Sequence, residues 1–141
     1  MTVSSERLLN ILLVEDDEVD VLNVRRAFQK NHITNPLFVA SNGVEALEQL
    51  RSHSIPRDRR IILLDLNMPR MNGIEFLREL RKDPELKSTP VVVLTTSNDE
   101  RDRIEAYDLN VAGYLLKPVT FSNFCEVMTA LNKYWALVEL P

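Results

Sequence analysis

Five short aliphatic runs, each followed by a stretch with helical spacing, constrain this chain more than any other feature it carries. The runs are ILLV at 11–14, LFVA at 37–40, IILL at 61–64, VVVL at 91–94 and GYLL at 113–116. After the first, Val21, Val24 and Phe28 recur one helical turn apart, joined by Leu22 and Arg25, until NHITNP stops the pattern. After the second, Val44, Ala46, Leu47 and Leu50 make an apolar side, and after the third Ile74, Phe76, Leu77 and Leu80 do the same. A fourth helix is expected over roughly 98–108 and a fifth from near Phe121. Strands this short and this aliphatic, separated by helices, are parallel and covered on both faces. The predicted fold is therefore α/β, a doubly wound five-stranded parallel sheet flanked by five helices. The run Val91–Leu94 reads as its most central strand.

Composition narrows what such a fold does. The chain has 141 residues, 45% hydrophobic and 27% charged, which suits one core. A formal charge of -4 argues against a surface built to neutralise nucleic-acid phosphates. Cys125 is the single cysteine, so no intramolecular disulfide forms, and it falls on a helical apolar stripe as a small buried hydrophobe. The start, MTVSSERLLN, is no export signal, and no run approaches the ~18 apolar residues of a membrane span. A cytoplasmic protein with no nucleic-acid or membrane partner is expected.

The third run poses a chemical question, because RIILLDLNMPRMNG drives four aliphatic residues straight into Asp65. A carboxylate at the end of a strand buried on both faces needs a partner. Right-handed crossovers in an open sheet put a crevice at the carboxyl ends of the strands. Glu15 and Asp16 end strand one, Asp65 strand three, Thr95 strand four and Lys117 strand five, so all converge on that edge. Two carboxylates about 4 to 5 Å apart repel by roughly 3 to 4 kcal/mol at an effective dielectric near 20. A hard divalent ion with oxygen ligands relieves this, and Mg²⁺ binds through one or two carboxylates, waters and a phosphate oxygen. An acid, a metal-binding acidic pair, a hydroxyl and a lysine are what phosphoryl transfer requires, with Asp65 as the nucleophile.

Each residue also has a plainer reading. Asp16 or Asp17 would cap the first helix, Asn42 the second, and Ser97 or Asn98 the fourth. Thr95 and Thr96 would be β-branched strand residues, Lys117 a solvated cation and Tyr114 a half-buried strand aromatic. Joint placement on one edge favours the chemical reading. His32 and His53 lack metal-ligand spacing and are expected in solvent. With three glycines in the chain, no phosphate loop of the P-loop or dinucleotide type is present.

The motifs ILLVEDDE, LLDLNMPRMNG, VVVLTT and GYLLKP, in this order and spacing, resemble the receiver domain of two-component response regulators, over about residues 8 to 134. The resemblance implies the flavodoxin-like receiver fold, with Asp65 the phosphoacceptor, Asp16 the main acidic Mg²⁺ ligand and Glu15 reaching the ion through water. It implies that Asn67 offers its backbone carbonyl to the metal, that Thr95 is the switch hydroxyl, that Lys117 contacts the phosphoryl group and that Tyr114 is the aromatic switch. Asn67 and Ser97 fall where the family tunes access of hydrolytic water, and Lys117–Pro118 where receivers commonly have a cis peptide. The protein would be a phosphoacceptor taking part in its own phosphorylation and dephosphorylation, not an enzyme acting on other substrates.

Residues 1–7 are expected to be a flexible N-terminus, 8–134 the receiver, and 135–141 a C-terminal apolar arm with no output domain after it. Phe121, Phe124, Met128, Leu131 and Trp135 make a helical stripe, and beyond it Tyr134, Trp135, Leu137, Val138 and Leu140 form an apolar patch. Folding back on its own domain would cover the patch; an arm reaching a second subunit of a homodimer is the favoured reading. This ending resembles single-domain regulators paired with bacterial phytochromes, which implies a phytochrome-type histidine kinase as phosphodonor. Two other classes share part of this pattern: a haloacid-dehalogenase-type phosphohydrolase, which wants a second aspartate where this chain has Asn67, and an interaction module working without phosphate.

Overall fold

Each aliphatic run forms a strand, and the helical stretches between them form helices. The computed structural model describes residues 9–117 together with Glu126, Thr129, Ala130, Lys133, Tyr134 and Leu137. The elements are β1 (Asn10–Val14), α1 (Glu18–Lys30), β2 (Leu37–Ala40), α2 (Gly43–Arg51), β3 (Arg60–Leu64), α3 (Gly73–Lys82), β4 (Val91–Thr95), α4 (Glu100–Asp108) and β5 (Gly113–Leu116). The six described residues beyond β5 are all helical, in the stretch where the fifth helix is expected. Pro118, and with it the Lys117–Pro118 bond, lies outside the described residues, as do Phe121, Phe124, Cys125, Met128, Leu131, Trp135, Val138 and Leu140.

All strand pairs are parallel, in the order β2-β1-β3-β4-β5. The central strand is β3, not the Val91–Leu94 run, which is β4. Both are buried at every residue, so hydrophobicity cannot rank them. Connectivity does: the chain leaves β1 for the β2 edge and then crosses back to build β3, β4 and β5 on the other side.

Side chains alternate across the sheet and feed two cores. On one face Leu12, Val14, Ile62, Leu64, Val91 and Val93 pack with residues of α2, α3 and α4, Phe76 and Leu80 among them. On the other, Ile11, Leu13, Ile61, Leu63, Val92 and Leu94 pack against Val24, Ala27 and Phe28 of α1. No helix among the described residues is long and apolar enough to cross a membrane.

Helix starts are fixed by side-chain caps. Asp17 accepts from the amide of Val19 and caps α1, Asn42 caps α2, and Asn72 caps α3 in a reciprocal box with Glu75. The cap of α4 is Asp99, two residues past Ser97 and one past Asn98, where it was expected. Ser97 is engaged elsewhere: its hydroxyl donates to Asp102 Oδ2 at 2.7 Å.

Candidate functional site

The sheet order places a topological switch point between β1 and β3, where chain direction across the sheet reverses. Val14 pairs with Leu64, so the residues that follow, Glu15 and Asp65, leave the sheet in step. Their backbones stay tethered: the Asp65 amide donates to the Val14 carbonyl at 3.0 Å and the Glu15 amide to the Ala40 carbonyl at 2.9 Å. Because Asp17 takes the cap of α1, the exposed Asp16 carboxylate is not consumed as a cap.

Glu15, Asp16 and Asp65 thus each offer a carboxylate oxygen, all within 4.8 Å of one another. Ligands on opposite sides of an octahedral ion with bonds of about 2.1 Å are about 4.2 Å apart, so one small divalent cation can be shared by such a set. The donors are all hard oxygens, which suits Mg²⁺, Mn²⁺ or Ca²⁺ and not a thiophilic metal. Asn67 follows on the same loop, exposed, its amide 3.4 Å from Asp65 Oδ1.

Lys117 closes the cluster. Its ammonium donates to Glu15 Oε1 and, at 2.6 Å, to Asp20 Oδ2, and lies 3.8 Å from Asp65 Oδ2. The side chain is only 10% exposed, so the plainer reading of a solvated surface cation does not hold. Burial alone would pull its pKa down, but hydrogen bonds to Asp20 and Glu15 outweigh that and hold it above the ordinary lysine value. Burial pushes the Glu15 carboxyl up, and nearby Asp65 adds to this. The hydrogen bond from Lys117 offsets only part, leaving Glu15 at about 7.

Asp20, on the first turn of α1, has no place in the sequence reading, yet it shares the lysine. The signal available was its spacing, one helical turn past Asp16 in an already acid-dense stretch.

Thr95 ends β4 fully buried, and its carbonyl accepts from the Lys117 amide at 2.8 Å, which ties the two strand ends together. Its hydroxyl oxygen accepts from the Ser97 amide at 3.2 Å. Tyr114, part-buried on β5, donates its hydroxyl to the Ser97 carbonyl at 2.9 Å, and burial pushes its pKa up. Together with the Ser97–Asp102 bond, these contacts pin the loop after β4 at both faces of Ser97.

Of the apolar patch, Tyr134 and Leu137 are 60% and 82% exposed, while Trp135, Val138 and Leu140 lie outside the described residues. His32 and His53 are exposed, as expected.

The family model for the response regulator receiver domain matches residues 11–129. The chain belongs to that family. Response regulator Rcp1 of Synechocystis sp. is 37% identical to this receiver over 136 residues, covering 93% of this chain and 92% of Rcp1. The phosphorylated cyanobacterial phytochrome response regulator RcpA superposes with a TM-score of 0.85 at 33% identity, covering 95% of this chain and 99% of RcpA. The Mn²⁺-bound form of Rcp1 gives a TM-score of 0.81 at 36% identity, covering 94% of this chain and 99% of Rcp1. The receiver assignment and the flavodoxin-like class agree with the sequence reading, and its relatives include phytochrome response regulators.

Proposed function

We propose that this receiver is a cytoplasmic signalling switch that accepts a phosphoryl group on Asp65 from a histidine kinase of the phytochrome type. The observation carrying this is the clustering of Glu15, Asp16 and Asp65 oxygens within 4.8 Å, with the Lys117 ammonium 3.8 Å from Asp65. The relatives named for phytochrome response support the choice of kinase.

In this reading an Asp65 carboxylate oxygen attacks the phosphorus of a phosphohistidine. The P–O bond forms as the P–N bond breaks, and the electron pair leaves with the imidazole, which then takes up a proton. Asp16, Asp65, the carbonyl of Asn67 and, through water, Glu15 would hold Mg²⁺, which when bound neutralises the acids and a phosphoryl oxygen. Lys117 exchanges part of its pairing with Glu15 and Asp20 for a phosphoryl oxygen. The Thr95 hydroxyl donates its proton to another phosphoryl oxygen, and the Ser97 loop shifts, which frees Tyr114 to turn inward. The phosphoryl group favours this conformer by its differential contacts with Thr95 and Lys117, not by adding energy.

Incubation with a small phosphodonor and Mg²⁺ should add one acid-stable, alkali-labile phosphoryl group per chain, read by intact mass. Asp65→Asn should add none, and Asp16→Ala should weaken Mg²⁺ binding by at least about tenfold and slow the uptake. Equal uptake by Asp65→Asn would refute the assignment.

A homodimer held by the last helix and residues 135–141 is part of the same proposal, supported by the exposure of Tyr134 and Leu137. Deleting residues 135–141 should lower the mass seen in sedimentation from dimer toward monomer. An unchanged profile would favour a tail folded on its own domain.

A further inference from the structure

At the rim of the sheet opposite Asp65, a second site is built from basic residues that the phosphoryl chemistry does not use. Arg60, the first residue of β3, is 6% exposed, and its Nε and Nη1 are closed off from solvent without a hydrogen-bond partner. A charged group desolvated in this way normally carries a carboxylate or a set of acceptors. Arg81, a part-buried residue of α3, shows the usual solution: its guanidinium donates to the carbonyls of Lys87, Thr89, Leu109 and Asn110. Arg60 has no such set.

Arg60 instead lines a cavity of about 210 Å³ together with Arg57, Glu85, Ser88, Thr89 and Pro90. Two guanidinium groups face one carboxylate there, so the cavity wall is net positive. Glu85 pairs with Arg57 at 2.7 Å, but the two side chains are 69% and 51% exposed. A pair so open to water is weak, and Glu85 is free to swing away. The wall also holds two hydroxyl side chains, which can donate to an anion as the guanidinium groups do.

We propose that this cavity binds a small tetrahedral oxyanion of the phosphate class, drawn to the uncompensated charge of Arg60 in its wall and held by Arg57, Ser88 and Thr89, which donate to it. Arg57, Ser88 and Thr89 match an anion whose oxygens point in several directions; a planar carboxylate engages a guanidinium fork well but leaves the hydroxyls unmatched. Burial, and then the like charge of Arg57, make the Arg60 guanidinium easier to deprotonate than usual, the condition a bound anion would relieve. The site is independent of the Asp65 reading and stands or falls apart from it.

The test uses the full chain in EDTA, which removes divalent ions from the acidic cluster and leaves that rim repulsive to anions. Inorganic phosphate is titrated at constant ionic strength while backbone amide resonances are followed. The amides of Arg60, Ser88 and Thr89 should shift and saturate, acetate should bind these amides more weakly, and chloride should leave them unmoved. Arg57→Ala, at an exposed position, should weaken phosphate about tenfold, the loss expected for one charge-assisted contact. Arg60→Met should abolish it; if that variant does not fold, Arg57→Ala decides. Shifts that never saturate or that chloride reproduces would overturn the proposal, as would shifts unaltered in Arg57→Ala. Tighter binding of acetate than of phosphate would overturn the ligand class.

Discussion

Gly73→Ala should destabilise the receiver by about 3 kcal/mol, lowering Tm by about 10 °C, even though alanine is the better helix former. A Cβ at position 73 would sit 2.7 Å from the Asp65 carbonyl oxygen and 2.7 Å from Leu66 Cα, both backbone atoms that cannot swing aside. The Gly73 amide also donates to the Leu66 carbonyl at 3.0 Å, so the start of α3 is stapled against the segment that carries Asp65. Against the clash stands the helix preference for alanine, at most about 1 kcal/mol. The clash wins because relief requires either β3 or α3 to move as a unit. Since the clash falls on the Asp65 carbonyl itself, the surviving folded fraction should also bind Mg²⁺ more weakly.

Gly43 provides the control. A Cβ there would meet Met71 Cγ at 2.7 Å and its Cβ and Sδ at 2.9 Å; Cγ and Sδ can rotate aside although Cβ cannot, and Gly43→Ala should cost about 1 to 2 kcal/mol, less than Gly73→Ala. Equal melting temperatures for Gly73→Ala and the parent protein would refute the close-packing account of how Asp65 is placed.

The fold was legible because its information is local. Aliphatic runs of four residues and helices of nine or more announce themselves by period, and the first polar residues after β1, β3, β4 and β5 mark one rim. What was hidden is what depends on which strand lies beside which. The β3 and β4 runs carry equal hydrophobicity, so the centre of the sheet follows from crossover order alone. The same holds for caps: Asn42 and Asp17 lie beside sharp changes in pattern, whereas α4 has four polar candidates in SNDE. Asp99 wins there because Ser97 is held by Asp102 and its backbone carbonyl by Tyr114. Asp20 was missed for the most physical reason. A cation arriving from residue 117 selects its acids by distance, and only the folded sheet brings it to α1.

That cation carries the second large effect. Lys117→Met should destabilise the metal-free protein by about 3 kcal/mol near pH 8, the low end of the range for breaking a buried ion pair. The low end applies because Asp20, one of the partners, is 31% exposed and recovers solvation, whereas Glu15 at 3% and Asp65 at 7% do not. The loss should shrink with acidity. Glu15 titrates above its unfolded value even with the lysine present, at about 7 against 4.5. A carboxyl whose folded pKa is raised favours the native state fully below its unfolded value, and that contribution is lost as pH rises through the folded one. Without Lys117 the folded value moves higher still, because the hydrogen bond and charge that held it down are gone. The gap between Lys117→Met and the parent should therefore be small near pH 4.5 and widen through pH 7 to 8. Mg²⁺ should close part of it at the higher pH, since removing the competing ammonium lets the variant bind the ion more tightly than the parent, and each tenfold gain in affinity adds about 1.4 kcal/mol when the ion is in excess over both Kd values. Urea unfolding in EDTA and in Mg²⁺, at the two pH values, measures all four corners. A deficit independent of both pH and metal would mean that Lys117 matters for packing alone, and that the acids at this rim do not compete for a shared positive charge.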